Sequence, residues 1–149
     1  MARIIRLTLA LTLLAVLTIG ATATATASRP KLFDSSMAGL TTPGQVIDGV
    51  TAAGAPWSID EGRATLYANG RVHVEVEGLI VTALGRNPAA TGKVVVSCNG
   101  AIAATTATVP FSPEGNAEVD AVVDLPSPCF GPSVFFTSAG GSWFAVTGF

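Results

Sequence analysis

The chain has 149 residues, of which 49 % are apolar and only 12 % charged, with a formal net charge of −2. That length suits a single domain, and scattered basic residues on a weakly acidic chain argue against nucleic acid as a partner. One histidine and two cysteines fall short of the four ligands a structural zinc site takes, and no cofactor motif is present.

Arg3 and Arg6 precede an apolar run of 13 residues, 7–19, followed by small residues up to Ala27. The run is shorter than the roughly 20 residues of a membrane helix and suits the apolar region of a signal peptide. Two small-x-small sites are offered, Ala23-Thr24-Ala25 and Ala25-Thr26-Ala27. The second is preferred, so residues 1–27 are expected to be removed near Ala27. An uncleaved anchor is the alternative. The mature chain is expected to be secreted or periplasmic/extracellular, with no transmembrane segment. It keeps six basic residues against ten acids, a formal charge of −4.

Residues 28–45 are expected to be a flexible N-terminal segment. Arg29-Pro30-Lys31 and Thr42-Pro43-Gly44 carry breakers, and no period is sustained. Residues 46–149 are read as a β-sandwich domain. Weak strands are expected over 46–50 and 55–59. Over 63–68, Ala64, Leu66 and Ala68 fall on one face, with Arg63, Thr65 and Tyr67 on the other. Asn69 and Gly70 suit a type I′ turn. The clearest strand is 71–77, where Val72, Val74 and Val76 alternate with Arg71, His73, Glu75 and Glu77. Gly78 marks a bulge or bend before the apolar 79–81.

Residues 82–92 form the longest expected loop. The next strand, 93–98, turns Val94, Val96 and Cys98 inward. Asn99 and Gly100 make a second hairpin turn into 101–109, which Pro110 and Pro113 end. Strict alternation over 117–125 puts Ala117, Val119, Ala121, Val123 and Leu125 inside and Glu118, Asp120 and Asp124 outside. Pro126, Pro128 and Pro132 stiffen the loop around Cys129. A last apolar hairpin joins 134–137 to 143–147.

Short alternating runs with frequent turn signals predict an all-β fold. The expected form is an antiparallel two-sheet sandwich of about seven or eight strands, immunoglobulin-like in general architecture, with one disulfide. A Greek-key barrel is the nearest alternative. No Trp lies between Cys98 and Cys129, so only the architecture is claimed. In an exported chain an even cysteine count favours a Cys98–Cys129 bond, worth roughly 3–4 kcal/mol in the chain-entropy model.

The segments Trp57-Ser-Ile-Asp-Glu-Gly62 and Asn69-Gly-Arg-Val-His-Val-Glu-Val-Glu-Gly78 stand out, with Val96-Ser-Cys-Asn-Gly100, Leu125-Pro-Ser-Pro-Cys129 and Gly140-Gly-Ser-Trp143. Across residues 56–149 the chain resembles a family of short exported bacterial all-β proteins with no known activity. The resemblance implies a fold and a compartment, and no catalytic role for any residue.

His73 lies on the polar side of its strand and is read as a surface residue rather than a base or ligand. No Gly-x-Ser-x-Gly elbow accompanies it. Glu75 and Glu77 share one face and Glu118, Asp120 and Asp124 another. Both sets are read as solvated acids ahead of a glycosidase pair or a Ca²⁺ site. Adjacent aromatics, Phe135 with Phe136 and Trp143 with Phe144, imply that one of each pair points away from a sandwich core. Contact with a neighbouring loop is the first explanation for such outward rings, and a binding surface is the other, with Phe130, Phe136 and Trp143 as its candidate surface contacts. The expected function is an exported, non-enzymatic binding or structural module whose partner is an unidentified protein or cell-envelope ligand. A small secreted enzyme or Ca-binding module is one alternative. An outer-membrane-associated β-barrel ending at Phe149 is the other.

Overall fold

Residues 30–148 are described by the computed structural model, and all their regular structure is β-strand. The expected signal peptide, its cleavage point and Phe149 lie outside the described residues. In chain order the first strands are β1 (Lys31–Gly39), β2 (Val46–Ile47), β3 (Val50–Thr51), β4 (Trp57–Ser58), β5 (Glu61–Tyr67), β6 (Arg71–Glu77) and β7 (Ile80–Val81). They are followed by β8 (Thr91–Cys98), β9 (Ala101–Thr105), β10 (Val109–Pro110), β11 (Ala117–Val122), β12 (Ser133–Ser138) and β13 (Trp143–Thr147).

The main sheet is antiparallel, in the order β10-β8-β12-β13-β1-β5-β6-β11, and β9 pairs with β8 on the same edge as β10. It curls into a half-barrel rather than parting into two hydrogen-bonded sheets. The seam is β1, whose first part (Lys31–Ser36) pairs with β5 while Met37, Ala38 and Gly39 pair with β13. Two small pairs, β2 with β3 and β4 with β7, complete the strands.

The expectation of a flexible segment over 28–45 is corrected here, because Lys31–Gly39 is an interior strand of the main sheet. Its alternation is real but weakly apolar. Phe33, Ser35 and Met37 turn inward while Leu32, Asp34 and Ser36 stay exposed. Ladders on both sides hold this strand, so it needs little hydrophobic signal of its own. Gly39 is required where β1 passes β4, since a Cβ there would stand 2.4 Å from the Trp57 carbonyl oxygen.

The two Asn-Gly turns differ. Asn99 and Gly100 both have positive φ, 57° and 76°, and join the paired residues Cys98 and Ala101 as a two-residue type I′ loop. At Asn69 and Gly70 only the glycine is left-handed, with φ 82°, and its N–H donates to Tyr67 O at 2.9 Å. That is a three-residue loop, in place of the type I′ turn expected there.

Val72, Val74 and Val76 are buried as the alternation requires, and Val119 joins them from β11. Ala117, Ala121, Val123 and Leu125 pack partly buried against the same core. The other arm of the sheet behaves differently, because residues 94–98, 134–137 and 143–147 are buried on both faces. One face meets the shared core, where Phe136 lies edge-on to Phe111 at 5.0 Å and Phe144 stacks on Trp57 at 3.9 Å. The opposite face is roofed by the β2–β3 hairpin. Ala52 bridges to Trp143, Val50 is buried, and Ser97 Oγ donates to Asp48 Oδ2 at 2.7 Å. Residues 82–90 are pinned by the buried Asn87, whose amide nitrogen donates to Ala89 O and Ser112 O and whose Oδ1 accepts from Ala89 N.

Candidate functional site

Cys98, the buried last residue of β8, is bonded to Cys129 in the loop that precedes β12. The next residue tightens the same junction. The Asn99 N–H donates to Phe130 O at 2.8 Å, its Oδ1 accepts from Phe130 N at 3.0 Å, and its Nδ2 donates to Pro128 O at 3.1 Å. Asn suits this position because it tolerates the left-handed backbone and offers a donor and an acceptor together. A covalent bond and three hydrogen bonds thus fix residues 128–130 against a hairpin end, while the Phe130 ring stays 68 % exposed. The backbone that carries this ring has little conformational freedom left to lose on contact.

Of the three aromatic contacts expected, only Phe130 is at the surface. Phe136 and Trp143 are buried, at 0 % and 2 % exposure, and that expectation is corrected for both. Phe135 and Phe136 do point to opposite faces, and the outward rings meet a neighbouring loop instead of forming a binding surface, while Phe136 faces the shared core against Phe111. The β2–β3 hairpin covers the outer face, so Phe135 and Trp143, 6.3 Å apart, pack beneath it. The Trp143 indole N–H finds no acceptor among the described residues.

The exposed face of β1, β5, β6 and β11 gathers most of the ionisable side chains. Asp34 accepts from Lys31 Nζ and Arg63 Nε, both at 2.8 Å, and these hydrogen bonds hold its carboxyl down to about 2. Arg71 grips Asp120 with two nitrogens, at 3.1 and 2.6 Å, which lowers the Asp120 carboxyl as well. His73 stands opposite Thr65 and Asp120, its Nδ1 4.0 Å from Glu118 Oε1. Glu75 lies opposite Arg63 on one side and Glu118 on the other, and Glu77 lies opposite Glu61. Facing carboxylates weaken these ladders modestly, and the acids Glu118 and Asp120 carried by the edge strand β11 discourage adhesion of other strands to it. Among the described residues no group of three or more His, Cys, Asp or Glu is placed to hold a metal ion. What this face offers is an open array of exposed charges, several matched to one another.

A groove of about 420 Å³ opens between the β2–β3 hairpin and the strands β8 and β9. Lys93, Val95, Ile102 and Thr105 line one side, with Gly49, Val50 and Thr51 opposite and the turn 140–142 at one end. Sequence reasoning singled out neither this groove nor Asn99 as more than turn and strand positions. The Asn-Gly pair was the one available signal for Asn99. Nothing in the sequence announces the groove, whose walls come from four separate segments.

No helix among the described residues is long and apolar enough to cross a membrane, and the disulfide fits an oxidising compartment. Comparison with protein-family models, with curated proteins and with solved structures finds no match to this chain.

Proposed function

We propose that the chain is an exported, non-enzymatic binding module, cleaved near Ala27, that contacts a protein or another component of a bacterial cell envelope through its Cys129 loop. The observation carrying this reading is Phe130, a large apolar side chain left exposed on a loop that a disulfide and Asn99 hold rigid. Enclosing such a ring in a partner gains about 1.5–3 kcal/mol from burial, and the clamp limits the opposing entropy loss. Aromatic anchors of this kind dominate many protein contacts. The basic n-region, the 13-residue apolar run and the small-residue site support export. The two arms of the curled sheet share one core, and we read them as the equivalent of the two layers of an immunoglobulin-like sandwich.

The test is retention of purified mature protein on washed bacterial envelopes, with Phe130→Ala beside wild type. Lower retention of the variant at an unchanged melting temperature supports the loop contact. Equal retention of the two proteins contradicts it.

A further inference from the structure

We propose that the groove between the β2–β3 hairpin and strands β8 and β9 binds a sugar that carries a carboxylate. This goes beyond the Phe130 contact and does not depend on it. The groove's volume of about 420 Å³ falls within the roughly 300–1,000 Å³ typical of small-molecule sites. The hollow over Glu75, Glu77 and Glu118, at about 270 Å³, falls below it.

The groove's chemistry is specific. Lys93 is half-buried on β8, and no carboxylate among the described residues pairs with it. Lys31, Arg63 and Arg71 are each engaged by Asp34 or Asp120, and Arg86, also without an ion pair among the described residues, is exposed and lies outside the groove. A lysine that lines a groove without a carboxylate partner can offer its ammonium to a ligand anion. Around it stand the hydroxyl-bearing residues Thr51, Thr105 and Ser142. The hydroxyls of Thr106 and Thr137 are taken up by backbone groups, whereas none of these three donates a hydrogen bond among the described residues. A hydroxyl both donates and accepts, which matches the ring hydroxyls of a sugar better than the fixed donor-acceptor order of a peptide. Both sides carry apolar side chains, Val50 on one and Val95 and Ile102 on the other, with Ile102 52 % exposed, and these suit the C–H face of a pyranose. The end wall is low because residues 140 and 141 are glycines.

The test is a titration of the folded, oxidised mature protein with galacturonate, followed through backbone amide shifts in nuclear magnetic resonance. Glucose and acetate are run separately as the neutral sugar and the bare carboxylate. Two variants accompany it. Lys93→Met removes the charge from a strand position that keeps its ladder. Gly140→Tyr fills the groove, and position 140 accepts a side chain because an added Cβ would meet only Ser138 Oγ, at 3.7 Å. Saturable shifts confined to residues 49–51, 93–95, 102–105 and 140–142 are expected with galacturonate. They are expected to weaken at least tenfold with glucose, with acetate and in Lys93→Met, and to disappear in Gly140→Tyr. No saturation, shifts centred elsewhere, an equal response to glucose or acetate, or undiminished binding by Lys93→Met overturns the proposal. If Gly140→Tyr fails to fold, the Lys93→Met comparison decides alone.

Discussion

Phe135 and Phe136 are neighbours in β12, point to opposite faces of it, and are both fully buried. Phe136 meets Phe111 in the core shared by the two arms of the sheet, and Phe135 lies near Trp143 beneath the β2–β3 hairpin. The β8-β12-β13 arm is therefore a middle layer, covered on both faces. This is the support on which the Cys129 loop is mounted.

Removing either ring should open a cavity. Phe136→Ala is expected to cost about 3–5 kcal/mol in denaturant unfolding, as large-to-small changes in packed cores do. Phe130→Ala, at an exposed position, is expected to change stability by no more than about 0.5 kcal/mol. Comparable losses for the two would mean that Phe130 is packed rather than presented.

Strand β6 gives a sharper contrast. Val74 is fully buried, while its neighbour His73 sits on the charged outer face. Val74→Asp should prevent folding, because it places an unpaired charge in the core. His73→Ala should melt within a few degrees of wild type. A reversed order in thermal melts would place the strand faces the other way round.

Asp34 links the charged face to pH. Hydrogen bonds from Arg63 and Lys31 hold its carboxyl at about 2 in the folded protein, against an ordinary 3.8. The folded value is the lower one, so the stabilisation is present above about pH 4 and is lost as the pH falls toward 2. Asp34→Asn should therefore melt below wild type at pH 7, and the gap should close as both are acidified to pH 2. A gap that persists at pH 2 would assign the effect to packing instead.

The disulfide closes 31 residues of chain, which corresponds to roughly 3–4 kcal/mol of unfolded-state entropy. Replacing both Cys98 and Cys129 by Ala should lower unfolding free energy by about that amount. Thiol labelling of the unfolded, unreduced protein should find no free thiol. Labelling of two would show that the bond does not form.

Legibility in the sequence followed how local each signal was. Strand β6 shows Val-x-Val-x-Val against charged partners and was read with its observed bounds, and 143–147 emerged likewise. The inward set of β11 was equally plain, because every second residue is apolar. β1 was missed because its inward positions are Phe33, Ser35 and Met37, and the pairing that holds it comes from strands about 30 and 110 residues away. The cover over the outer face of β12 is legible only as contact with some neighbouring loop, and the sequence does not say which. Its roof, the hairpin around Asp48 and Gly49, is two short strands with no strong pattern. That roof covers Phe135 and Trp143, whereas Phe136 is buried because it is the ring of its pair that points into the shared core, against Phe111. The curl of the sheet and the groove beside Lys93 arise from long-range packing, which no local pattern encodes.

The most direct measurement is the intact mass of the protein recovered from washed envelope and from culture fluid, for wild type and Phe130→Ala. Wild type is expected on the envelope, beginning at Ser28 and lighter than the reduced chain by two hydrogens. Phe130→Ala should be processed and oxidised in the same way, yet shift to the fluid. An uncleaved or reduced wild-type chain, or two proteins that distribute identically, would contradict an exported module acting through its clamped loop.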